Sequence, residues 1–153
     1  MPALRNILLL LALMLAIPLA QAGSAKVLKV LPHYLDEQGR MALNPSLYAR
    51  DAYQGYLRQN PDKRFGMKFD VNWRGRGREP GDLKLRLELR GAHGQAPTSL
   101  TLEENVGSSG WFSKWATLRF TDEQWKAFGE LTAWRATLWS GDKMVAEQKS
   151  FLW

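Results

Sequence analysis

Apolar and polar residues alternate strictly over two stretches near the middle of the chain. In FGMKFDVNW, residues 65–73, Phe65, Met67, Phe69, Val71 and Trp73 are separated by Gly66, Lys68, Asp70 and Asn72. In LKLRLELR, residues 83–90, four leucines at 83, 85, 87 and 89 alternate with Lys84, Arg86, Glu88 and Arg90. A period of two sends successive side chains to opposite faces, so each stretch predicts a strand with one buried and one solvated side. The loop between them, RGRGREPGD, consists of turn-forming and charged residues.

Residues 45–59 carry a different period. Asn44-Pro45 reads as an N-cap followed by proline at the first helical position, where its missing N–H costs nothing. On a helical wheel Tyr48, Ala49, Ala52, Tyr53, Tyr56 and Leu57 share one side, and Arg50, Asp51, Gln54 and Arg58 the other. The spacing predicts an amphipathic helix whose tyrosine side packs on the sheet. The alternative use of that side is a partner-binding face. Gly55 inside it costs about 1 kcal/mol, so the helix needs a surface to lie on.

The remaining segments read as strands and turns. Residues 25–31 form a short first strand that ends at Pro32, and DEQGR at 36–40 is turn-like. Residues 91–97 form a loop, and a short strand follows through Leu100 and Leu102. A strand over 111–120 places Phe112, Ala116, Leu118 and Phe120 inside. Thr121 to Gln124 matches a capping box, opening a helical turn through Trp125 and Phe128 that ends near Gly129. LTAWRATLW and KMVAEQKSFLW, joined by Ser140-Gly141-Asp142, form a terminal hairpin.

These elements predict an all-β chain: an antiparallel sandwich of about seven strands, with one amphipathic helix after the first strand and a short helical turn before the last hairpin. Strand count, spacing and the helical turn before the penultimate strand resemble immunoglobulin-like and fibronectin-like sandwiches. The resemblance is architectural, because the Cys…Trp…Cys signature of true immunoglobulin domains is absent. A closed barrel is the alternative.

The first 22 residues change where the protein is expected to work. Arg5 is followed by an apolar run from Ile7 to Ile17, a break at Pro18, and a small-x-small site at Ala20-Gln21-Ala22. This is the pattern of a cleaved export signal, and the run is shorter than the roughly 20 residues that cross a bilayer. Residues 23–153 are then a single exported domain, secreted or periplasmic, with no transmembrane segment. The chain has no cysteine, hence no lipid-accepting thiol and no disulfide, and its 45% hydrophobic residues must supply stability by burial alone. A net charge of +6 favours anionic partners weakly, and export argues against nucleic acid.

Seven tryptophans frame the candidate chemistry. If the fifth strand is regular, Trp111, Ser113, Trp115, Thr117 and Arg119 point outward, and the two rings stand about 13 Å apart. That spacing suits stacking on an extended polysaccharide, with Trp111, Trp115 and Arg119 as contacts; burial of either ring through a loop or a bulge is the alternative. Trp73, Trp125 and Trp134 read as core, Trp139 as stacked on Arg135, and Trp153 as pinning the chain end into the sandwich. Arg74, Arg76 and Arg78 form a candidate grip for phosphate or carboxylate groups, or simply a solvated loop.

Catalytic patterns are weak. The two histidines, His33 and His93, lie far apart in sequence, no serine sits in a GxSxG setting, and no ligand spacing suggests a metal or another cofactor. The expected function is therefore non-catalytic, protein–protein contact in the cell envelope first and a carbohydrate-binding module second; an unrecognised small hydrolase or inhibitor is the third reading.

Overall fold

The computed structural model describes residues 25–75 and 83–153. The expected export signal and loop residues Arg76 and Arg78 lie outside them. Ten elements follow in order: β1 (Lys26–Leu35), α1 (Leu47–Gln59), a 3-10 turn (Pro61–Lys63), β2 (Gly66–Arg74), β3 (Leu83–His93), β4 (Ala96–Asn105), β5 (Lys114–Thr121), α2 (Asp122–Phe128), β6 (Glu130–Ser140) and β7 (Lys143–Lys149). They make two antiparallel sheets, one ordered β1-β2-β5 and the other β4-β3-β6-β7.

The two alternating stretches behave as their period requires. Met67, Phe69, Val71 and Trp73 of β2 and Leu83, Leu85, Leu87 and Leu89 of β3 are buried. Ala116, Leu118 and Phe120 of β5 and Ala136 and Leu138 of β6 join them in one core between the sheets, with Phe128 of α2 closing one end. Burying side chains of this size contributes roughly 1.5–3 kcal/mol each before chain entropy is counted. That is the stabilisation a cysteine-free domain relies on.

Four local readings change. β1 does not end at Pro32 but continues to Leu35, with Pro32 opposite Phe69. Among the described residues its only ladder partner is β2, so the N–H that proline lacks belongs to the free edge of the strand and no ladder bond is lost. β3 runs on through Gly91 to His93 and turns directly into β4, so the expected 91–97 loop is mostly strand. β5 starts at Lys114, because Ser109 ties the preceding residues to Gly75: the Gly75 N–H donates to Ser109 Oγ at 2.8 Å and the Ser109 N–H to the Gly75 carbonyl at 2.9 Å. The capping box does not form. Asp122 takes a left-handed φ of 52°, and the Thr121 hydroxyl donates to its carboxylate rather than accepting from the helix.

α1 begins at Leu47. Ser46 is its N-cap, accepting from the Ala49 N–H, while Asn44 braces Ser46 from outside the helix. Its orientation departs from the wheel expectation in part: Leu57 is inward and Asp51 and Arg58 are outward as expected, but the tyrosine side is turned away from the sheet and Gln54 toward it. Gln54 and Leu57 are its buried residues, whereas Tyr48 is 86% exposed and Tyr56 is also outward. The reason is hydrogen bonding. The Gln54 amide accepts from the Tyr34 N–H and donates to the carbonyls of Tyr34 and Met41, closing the free edge of β1 as another strand would.

The outer face of the four-stranded sheet carries arginine and tryptophan stacks. Trp139 lies under Arg86, 4.7 Å from its ring centre, rather than under Arg135. Trp153 sits on this outer face 3.9 Å from Arg90, so the chain end is held on the sandwich and not within it, and Phe151 and Leu152 are exposed.

Candidate binding face

The outer face of the three-stranded sheet is where β1, β2, β5 and α1 bring chemistry together. The register aligns three rows across it: Lys29, Asn72 and Trp115; Leu31, Asp70 and Thr117; His33, Lys68 and Arg119. Arg50 from α1 and Met41 from the preceding segment overhang these rows. A recess of about 230 Å³ results, lined by Leu31, His33, Met41, Arg50, Asp70 and Trp115.

Asp36 positions the overhang. It accepts from the backbone N–H groups of Gln38 and Arg40, from the Arg40 guanidinium, and from the Tyr53 hydroxyl at 2.7 Å. Burial alone would raise its pKa, but the bonds from Arg40 and Tyr53 outweigh that and hold the carboxyl below its ordinary value. Segment 36–40 and α1 are thereby locked to the end of β1. The other end of α1 is tied down by Arg64, whose guanidinium donates to the carbonyls of Leu57 and Arg58 and to both oxygens of Glu130.

Inside the recess, Asp70 is held on two sides. The Thr117 hydroxyl donates to its Oδ1 at 2.6 Å, and Lys68 Nζ lies 3.1 Å from its Oδ2. Arg50 is turned by Asp51, which accepts from its Nε and Nη2. His33 forms part of the floor with a side chain only 9% exposed; its Nδ1 is 3.8 Å from Asp70 Oδ2 and has no hydrogen-bond partner. Burial lowers the His33 pKa, the nearby Asp70 charge opposing it only in part.

That shift has a stability consequence. In the unfolded chain His33 takes up a proton near its ordinary pKa of 6.5, while the folded protein resists doing so, so below that pH the unfolded state binds more protons. Stability should therefore decline as pH falls from 7.5 through 6.5 toward the lowered value. Urea midpoints at pH 7.5 and 5.5 should differ less in His33→Gln than in the parent, and equal differences would show that His33 is not held neutral.

Of the sequence-predicted contacts, Trp115 and Arg119 lie outward on β5, with Trp115 55% exposed. Trp111 is 80% exposed but belongs to the loop before β5, so the regular-strand spacing between the rings does not apply. Phe112, expected inside, is 82% exposed, because the strand that was to turn it inward starts two residues later. Arg74 is exposed at the end of β2. His33, Asp70 and Arg50 were not predicted as a group; ending β1 at Pro32 hid the row that contains His33. Extending that strand in phase with Leu31 brings His33 onto this face.

A second surface lies on the far side of α1. Leu43, Tyr48 and Tyr56 are exposed there, Leu47 is exposed at the first turn, and Tyr53 stacks on Tyr56 with ring centres 5.7 Å apart. A shallow groove runs between Leu43, Asn44, Ala49, Ala52, Tyr53 and Tyr56. Among the described residues no helix is long and apolar enough to cross a membrane, and no three histidine or acidic side chains are grouped to hold a metal ion. No family model, curated protein or solved structure matches the chain.

Proposed function

We propose that the chain is an exported, non-catalytic β-sandwich module that works in the cell envelope by contact with a protein partner, through the outer side of α1. The observation that carries this is the turned helix: Tyr48, Ala52 and Tyr56, whose spacing fits a core face, stand at the surface while the Gln54 and Asp36 bonds fix how the helix lies. Exposed tyrosine and leucine side chains beside an apolar groove are characteristic of protein interfaces. The leader-like first 22 residues are the basis for export. Sheet membership supports a fibronectin-like sandwich. In immunoglobulin constant domains the fourth strand joins the first, second and fifth, whereas here β4 pairs with β3.

Leu47→Lys combined with Tyr48→Glu tests the reading. Both residues are exposed, so unfolding free energy should change by no more than about 0.5 kcal/mol. On native gels of envelope extracts the parent chain should migrate in a larger complex and the variant as free chain. A parent that migrates as free chain sinks the proposal.

A second reading is favoured by the exposure of Trp111 and Trp115 beside Arg119: a carbohydrate-binding module whose rings stack on a polysaccharide. Arg74, with Arg76 and Arg78 following it in sequence, would add contacts to an anionic polymer. Catalysis forms no part of either reading.

A further inference from the structure

The recess beneath Trp115 has features that a flat stacking platform does not need. Its floor contains a buried imidazole nitrogen without a partner, and buried polar atoms are otherwise almost always paired. Its carboxylate, Asp70, is fixed by Thr117 and Lys68 rather than left to swing in solvent. Its wall is a tryptophan, backed by Leu31 and Met41.

We propose that this recess binds one neutral pyranose residue of a glycan, with the C–H face of the sugar on Trp115 and its hydroxyls held by Asp70 and Arg50. The inference rests on the carbohydrate reading and names the subsite where a single sugar is recognised. Three observations select the ligand class. The charges at the recess pair off, Lys68 with Asp70 and Arg50 with Asp51, so its lining presents no unpaired charge to an entering group. Donors and acceptors are mixed, as a hydroxyl group requires: a carboxylate oxygen accepts and a guanidinium donates. Apolar and aromatic walls with a few placed polar groups are the usual make-up of small-ligand sites, and the volume of about 230 Å³ suits one sugar ring rather than a larger ligand.

The test uses the purified full chain with D-glucose, N-acetyl-D-glucosamine and D-glucuronate as probes, following tryptophan indole signals by NMR, with the Trp115 signal assigned from Trp115→Phe. A neutral sugar should shift the Trp115 signal saturably, and glucuronate should bind at least tenfold more weakly. Asp70→Asn and Arg50→Gln should each weaken the neutral sugar at least tenfold while melting as the parent does; the second change lies on α1 and keeps the test open if the first disturbs the sheet. Glucuronate binding as tightly as glucose would overturn the assignment. So would retention on insoluble polysaccharide that is lost in the Trp111→Ala, Trp115→Ala double variant yet unchanged in Asp70→Asn and Arg50→Gln; that result would leave the platform standing without the subsite. Absence of both sugar shifts and polysaccharide retention would overturn subsite and platform together.

Discussion

Gly129→Ala is expected to destabilise the protein by about 4 kcal/mol or more, enough to leave little folded chain at 37 °C. Gly129 joins α2 to β6 at φ 75° and ψ −142°, a region essentially closed to residues with a side chain. The space is also taken: a Cβ there would lie 2.3 Å from the Ala92 carbonyl oxygen and 2.9 Å from its carbon. Neither atom can yield, because Ala92 is part of the β3 ladder with both β4 and β6. The same seam brings Phe128 over Gly91 and lets the Thr98 hydroxyl donate to the Phe128 carbonyl at 2.6 Å. Gly94→Ala is the control. Gly94 has a similar φ of 62° but open space around it, so that change should cost only about 1–2 kcal/mol. Chemical denaturation of the two variants should separate the steric cost from the conformational one; equal costs would mean that the seam relaxes freely.

Arg64→Met should cost about 3 kcal/mol, the second largest effect expected of a single change. Arg64 is buried and joins three elements. It donates to two carbonyls at the end of α1, which no helical N–H can serve, and to both oxygens of Glu130 at 2.7 Å, while its guanidinium lies 4.3 Å from the Tyr34 ring centre. The Tyr34 hydroxyl donates to Glu130 as well, and burial together with that bond pushes its pKa up to about 12. Methionine fills much of the same volume but leaves the two carbonyls unserved and Glu130 with only the Tyr34 hydroxyl and water. Lysine should recover only part of the loss, since one ammonium cannot span the acceptors that the planar guanidinium reaches. Glu130→Gln should cost about 1 kcal/mol or less because Glu130 is half exposed and water can replace its partner. If Arg64→Met proves no worse than Glu130→Gln, the junction contributes little beyond its surface ion pair.

Legibility in the sequence followed the range of the interactions involved. The inward residues of β2 and β3 could be read from alternation alone, because a half-buried strand writes its environment into every second position. Trp115 and Arg119 came from the same rule. The facing of α1 could not, since the wheel counts apolar residues and the decisive group is Gln54, a polar side chain completing the edge of β1. Nor could the start of β5, which is set by Ser109 bonding to Gly75 across 34 residues. The recess needed still more: His33, Arg50, Asp70 and Trp115 meet only once β1 runs past Pro32 and both registers are known. Asp122 shows the opposite failure, a local capping pattern overruled when its N–H was taken by the Phe65 carbonyl.

The central claim, that the exposed side of α1 meets a protein partner, is tested most directly by a photo-crosslinking side chain at position 48, in cells making the full chain at its natural level. Position 101, exposed on the outer face of the four-stranded sheet, serves as the comparison. The account predicts one discrete adduct with a different protein from position 48 and none from position 101. Adducts from neither position, equal adducts from both, or a product of twice the mass of the chain would contradict it, the last by assigning that face to a second copy.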